Sequence, residues 1–331
     1  MRRTLTLLLI AGTAFAAEGY HVISTIKIGG QGFWDYLTVD NANRRVYVSN
    51  ATRVVVVDPD EGKVVGEIPD TQGVHGIAIA DKLNKGYISD GRTNDVTVFD
   101  LKSLKVLGKI PNTGTNPDSI TYDPKTERVF TFNGRSNNSS VIDAKTDKVV
   151  ATIDLGGKPE FAQPDGTGKI FVNIENTSEI VEIDAANATV LRRASLKPCE
   201  EPSGMAMDMK KHLLFSVCGN KMMAVTDAKT LQVVATPEIG QGPDAAVFDP
   251  STGLAFSSNG RDGTLSIVKE VSGKWESVDT VKTAPTARTM TLDPKTHRIY
   301  LSAAEVGEPP AGGRGRAPIV PDTFHLIVVG K

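Results

Sequence analysis

The feature that most constrains this chain is a repeat. An aromatic residue inside a short apolar run recurs at Tyr47, Tyr87, Phe130, Phe171, Phe215, Phe256 and Tyr300, at spacings of 40, 43, 41, 44, 41 and 44 residues. Seven residues before the aromatic stands an aspartate in five of the units: Asp40, Asp123, Asp208, Asp249 and Asp293. Several continue as Asp-Pro-x-Thr, which is turn chemistry, because Pro presets one dihedral and Asp bonds its own backbone. Each unit then carries a V-x-V-x-D run, ending for example at Asp58, Asp100 and Asp143, and after it a K-V-V run. With the run that precedes the Asp turn, this makes four short strands per unit. Four strands at a period of about 40–45 residues predict the blades of a β-propeller.

The ends of the chain predict how the ring closes. The last unit stops after its third strand, at residues 325–329, and has no K-V-V strand of its own. Residues 21–30 match residues 148–157 almost position for position, so the first strand is expected to complete the last blade and remove an exposed edge. The expected architecture is all-β: one seven-bladed domain over residues 17–331. Its blades lie near 29–68, 69–110, 111–153, 154–196, 197–239, 240–281 and 282–331, the last joined by 20–28. The pattern loosens in blade 4, where QPDGTGKIF replaces the Asp-Pro turn, and in blade 6, where Lys269 stands for the expected Asp.

The composite repeat G-x-x-P…DPxTxRxYVSN…VxVIDxxTxKVVxTI resembles that of the YVTN-repeat, YncE-like seven-bladed propellers of bacteria, over residues 17–331. The resemblance implies a propeller and an exported protein. It implies no activity, since one fold serves binding modules and enzymes alike.

Export is also read from the residues themselves. Arg2 and Arg3, an apolar stretch over residues 5–14 and the small-residue pattern Ala14-Phe15-Ala16 predict a cleaved signal peptide over residues 1–16. A periplasmic or secreted location follows, and in an oxidising compartment the two cysteines, Cys199 and Cys218, are expected to form a disulfide. No other apolar run is long enough to span a membrane. Lys+Arg 37 against Asp+Glu 39 leaves a net charge of −2, which argues against broad nucleic-acid binding. A monomer is expected.

Antiparallel order puts the Asp turns on one face, the bottom. The links between blades and the loops after the aromatic strands lie on the other, the top. Five residues before each Asp turn, at the top of the channel-lining strands, stand Asp35, His75, Asp118, Glu160, Ser203, Asp244 and Arg288, with a one-residue gap at Glu160. Such a ring at one channel mouth suits a polar ligand or a divalent cation, Ca²⁺ or Mg²⁺, held by Asp35, Asp118, Glu160 and Asp244. Equally, it suits a solvated rim of acids bonded to neighbouring backbone. Arg92, Arg135 and Arg261 follow Asp-Gly or Asn-Gly turns at one place in blades 2, 3 and 6, where they either capture an anion or pair with surface acids. Glu201, next to the disulfide link, is expected beside the mouth. Blade 7 alone has a long insertion, residues 303–323, on the same face.

Two functions fit these residues. One is an exported binding module for a small polar ligand or a protein partner. The alternative is a metal-assisted hydrolase or lyase, similar to propeller lactonases and streptogramin lyases, with His75 as acid or base and Arg288 on an oxyanion. No linear catalytic motif supports the second. A quinone-dependent dehydrogenase ranks last, because only Trp34 and Trp275 are present and no repeated Trp motif occurs.

Overall fold

A computed structural model describes residues 19–30, 32–308 and 317–331; the expected signal peptide and the centre of the blade 7 insertion lie outside them. The described residues form seven four-stranded antiparallel sheets, each built from strands adjacent in sequence except the last. Blade 3 shows the unit: Pro117–Asp123 lines the channel, then Arg128–Asn133, Asn138–Asp143 and Lys148–Asp154 step outward. Among the described residues helix is confined to two short 3-10 turns, Asp81–Leu83 and Glu175–Thr177.

The last blade holds Thr289–Asp293, Arg298–Ala303 and His325–Gly330, and its outermost strand is His21–Lys27 from the other end of the chain. Ile26 lies opposite Leu326 in that pairing and is buried with it. The ring is tied a second time at the bottom, where Arg44 of blade 1 bonds Asp293 of blade 7 at 2.8 Å and also Asp60.

The periodic aromatics explain why the blades stack. Tyr47, Tyr87, Phe130, Phe171, Phe215, Phe256 and Tyr300 are each no more than 2% exposed, and each sits in a different apolar cluster between neighbouring blades. A blade cannot bury its own faces, so each interface needs one large side chain to fill the wedge between twisted sheets. The Asp turns close as the sequence implies: Asp123 accepts hydrogen bonds from the Thr126 amide at 3.0 Å and its hydroxyl at 2.6 Å. In blade 6, Lys269 cannot make that turn. There the strands run on, as Thr264–Val271 and Lys274–Lys282, and reverse over Ser272 and Gly273 at φ 51° and 80°. A two-residue hairpin turn with both central φ positive replaces the Asp turn.

Cys199 and Cys218 are bonded, with Cα atoms 5.5 Å apart. The bond joins the link into blade 5 to the end of its second strand, Leu213–Cys218, on the top face. Among the described residues no helix is long and apolar enough to cross a membrane.

Candidate functional site

The strands that line the channel do not reach the top as regular ladder. In blades 2 to 6 their register slips between Val74 and Ile77, Pro117 and Ser119, Pro159 and Ala162, Pro202 and Met205, and Pro243 and Ala245. The skipped residues include His75, Asp118, Glu160, Ser203 and Asp244, so the predicted ring positions are the bulged ones. A bulge frees a residue from strand alternation and re-aims its side chain, here into the channel mouth.

In blades 2, 4 and 6 the second strand helps fix the ring residue of the next blade. The Ser89 hydroxyl donates to the Asp118 carbonyl of the next blade at 2.8 Å, and the Ser258 hydroxyl to that of Arg288. In blade 4 the Asn173 amide takes this role on the Ser203 carbonyl, also at 2.8 Å. In blades 2 and 6 the second-strand serine is thus a latch on the neighbouring ring residue, whereas Ser49 of blade 1 instead accepts from the Asp35 amide of its own blade at 2.6 Å.

All seven ring positions line one top-face cavity of about 1370 Å³. His75 Nδ1 lies 2.6 Å from Asp35 and 3.3 Å from Asp118. Arg288 pairs with Asp244, lies 3.5 Å from Asp35, and donates to the Trp34 carbonyl at 2.9 Å. Ser203 donates to Asp244 at 2.7 Å. Lys158 pairs with Glu160 at 2.7 Å and also with Glu175.

These contacts narrow the expected metal set. Glu160 is committed to Lys158, and Asp244 to Arg288 and Ser203, so protein cations sit where a shared dication was expected. Among the described residues, the donors close enough to hold one cation are Asp35, His75 and Asp118, with ligand atoms all within 4.8 Å of one another.

Charge at the mouth is out of balance. Burial pushes the Asp118 and Glu160 carboxyls upward, and repulsion from neighbouring acids adds to it, against the pull of His75 and Lys158 respectively. Burial alone would lower the His75 pKa, yet the hydrogen bond to Asp35 and the charges of Asp118 and Asp35 raise it overall. The mouth favours extra positive charge at each of these groups.

Beneath the ring the channel has a floor. Tyr36 of blade 1 and Phe161 of blade 4 come from opposite sides, and their ring centroids are 5.2 Å apart. A smaller cavity of 280 Å³, walled by the channel strands of blades 1 to 4, lies below this pair. Burial pushes the Tyr36 phenol far up, and the fields of Glu160, Asp35, Asp118 and Asp244 push it further, so the phenol stays protonated. Sequence reasoning missed Tyr36, although it directly follows a ring residue. It also missed Lys158, which stands two residues before Glu160, just ahead of the strand Pro159–Pro164.

The rim is uneven. Of the three top-face arginines only Arg261 lines the cavity; Arg92 and Arg135 are exposed outside it, and none of the three forms an ion pair among the described residues. The insertion of blade 7 raises a wall beside the interface with blade 1: Val306 and Ile319 form an isolated bridge and line the cavity with Ala317, and Ile319 packs on the cluster that holds Trp34 and Phe324. Glu201 and Lys221 of blade 5 line it too, while Phe33, 59% exposed, stands on the blade 1 side.

Comparison with solved structures finds the same fold. A chain from hydrazine synthase of Kuenenia stuttgartiensis is 16% identical with a TM-score of 0.71, covering 88% of this chain and 95% of its own. A chain from the mitotic checkpoint complex is 15% identical with a TM-score of 0.78, covering 100% of this chain and 99% of its own. Identity this low carries fold and nothing of function. No curated protein matches the sequence. Residues 35–206, more than half of the chain, match the family described as a domain of unknown function (DUF5074), and the chain belongs to that family.

Proposed function

We propose that this protein is an exported binding module that takes a small polar ligand into the cup at the top of its channel. The observation that carries the reading is convergence. Equivalent positions in all seven blades line one cavity, six of them ionisable, and aromatic rings close it below. A closed floor and a volume of this size suit a small molecule better than a protein surface, which docks on a flat face. The disulfide agrees with an oxidising compartment, as does the resemblance of the repeats to exported YVTN-repeat propellers.

The hydrolase or lyase alternative gains no support from the geometry. Arg288, the expected oxyanion partner, already directs one N–H at Asp244 and another at the Trp34 carbonyl. Glu160 and Asp244 are bound to protein cations rather than free for a metal.

The reading is tested by thermal-shift screening of the purified protein against a library of polar metabolites, with Asp118→Asn and Asp123→Asn beside it. A ligand of the cup should stabilise the parent and Asp123→Asn, which alters a bottom turn, but not Asp118→Asn. Equal loss in both variants, or no response across the library, would sink it.

A further inference from the structure

We infer that the cup is built for an organic cation, a primary ammonium carried on an apolar body; this rests on the mouth being a ligand site. Five inner carboxylates, Asp35, Asp118, Glu160, Glu175 and Asp244, line the cavity against two fixed cations, Arg288 and Lys158. His75 is shared between two of the acids, and Lys221 and Arg261 on the rim pair with none of them. The site is short of positive charge.

A second observation comes from the floor. Tyr36 is 6% exposed, lines the cavity, and its hydroxyl makes no hydrogen bond among the described residues. That hydroxyl opens on the cavity rather than being sealed from it, and the surrounding acids keep it protonated, so its oxygen is free to accept from an N–H donor. An ammonium group has three donors. Asp118, Asp35 and the Tyr36 oxygen offer it acceptors, and the aromatic ring adds a cation–π surface.

An N–H cation fits better than a metal ion for two reasons. Every cationic group already in the ring (a guanidinium, an ammonium, an imidazole) makes directional N–H contacts to these carboxylates, whereas Ca²⁺ takes six to eight oxygens. The cavity also continues upward past Phe33, Val306 and Ile319, an apolar wall that a bare ion would leave wet.

The test uses titration calorimetry on the purified protein with phenethylamine, phenethyl alcohol and phenylacetate, which share a body and differ in the head group, and with CaCl2 and MgCl2. Phenethylamine should bind, and the alcohol and the acid should bind at least about tenfold more weakly, as expected for loss of a charge-assisted hydrogen bond. Asp118→Asn should weaken the amine by a similar factor, and Tyr36→Phe, which keeps the ring, should weaken it less. Thermal melts of each variant verify folding.

Binding of the alcohol or the acid as tightly as the amine would overturn the ammonium inference and leave the cup as a ligand site. A response to the divalent salts alone, or amine affinity unchanged in folded Asp118→Asn, would overturn it equally. No binding by any of these probes also overturns it, while the library screen independently judges whether the cup binds at all.

Discussion

Asp90 is a misfit within its own repeat, and replacing it with Asn should stabilise the protein in a pH-dependent way. The second strand ends in Asn133 in blade 3 and Asn259 in blade 6, where the amide donates to Asn138 and Ser140 and to Thr264 and Ser266, at 2.8 to 3.1 Å. Blade 2 has Asp90 there, fully buried, opposite Asp95 in the ladder. Its Oδ2 accepts from Thr97 at 2.6 Å and lies 3.3 Å from Lys109, while Oδ1 has no partner among the described residues. Burial is the main reason its carboxyl is pushed from 3.8 up to about 7, and the contact with Asp95 adds to it.

A carboxyl raised in the folded state stabilises folding only while it is protonated in both states. That stability is present at low pH and is lost as pH climbs from the unfolded value toward about 7. The rise from 3.8 to about 7 sets a ceiling of about 4 kcal/mol at pH 8. Asn donates at every pH and removes that loss, but forfeits the attraction to Lys109, which keeps its bond to the Asp70 carbonyl at 2.8 Å. A net gain of about 1–3 kcal/mol at pH 8 remains, or roughly 2–6 °C in melting temperature. Near pH 4 the protonated acid already mimics the amide, and the difference should vanish. Urea melts of both proteins from pH 4 to 8 decide it. A pH-independent difference, or destabilisation at pH 8, would refute the reasoning.

Two further outcomes follow from the same physics. Replacing Cys199 and Cys218 with Ala should cost about 3 kcal/mol, the loop-closure entropy of a cross-link 19 residues apart, read as a lower urea midpoint that reductant reproduces in the parent; equal midpoints would count against the bond as a stabiliser. Asp35→Asn should lower the His75 pKa, because the hydrogen bond and charge that oppose its burial are lost; an unchanged NMR titration of His75 would show that Asp118 alone sustains it.

The fold was legible because each of its determinants is local. An Asp turn, an apolar alternation and one aromatic per unit recur in sequence, and a repeated unit can bury its faces only against copies of itself. Closure was legible for the same reason: residues 21–30 carry the strand that the last unit lacks. Even the ring of Asp35, His75, Asp118, Glu160, Asp244 and Arg288 could be gathered, since equal positions in equal units face one axis.

What sequence could not supply was who pairs with whom. Repeat arithmetic says that Asp244 and Arg288 share a mouth, but not that one neutralises the other, or that Lys158 takes Glu160 out of any shared metal set. It likewise cannot show that Tyr36 and Phe161, 125 positions apart, meet across the channel and turn a pore into a cup. Periodicity fixes which way a residue faces. Distances between side chains on different blades depend on the radius of the ring and on the bulges at its rim, and those are set only when all seven blades have packed.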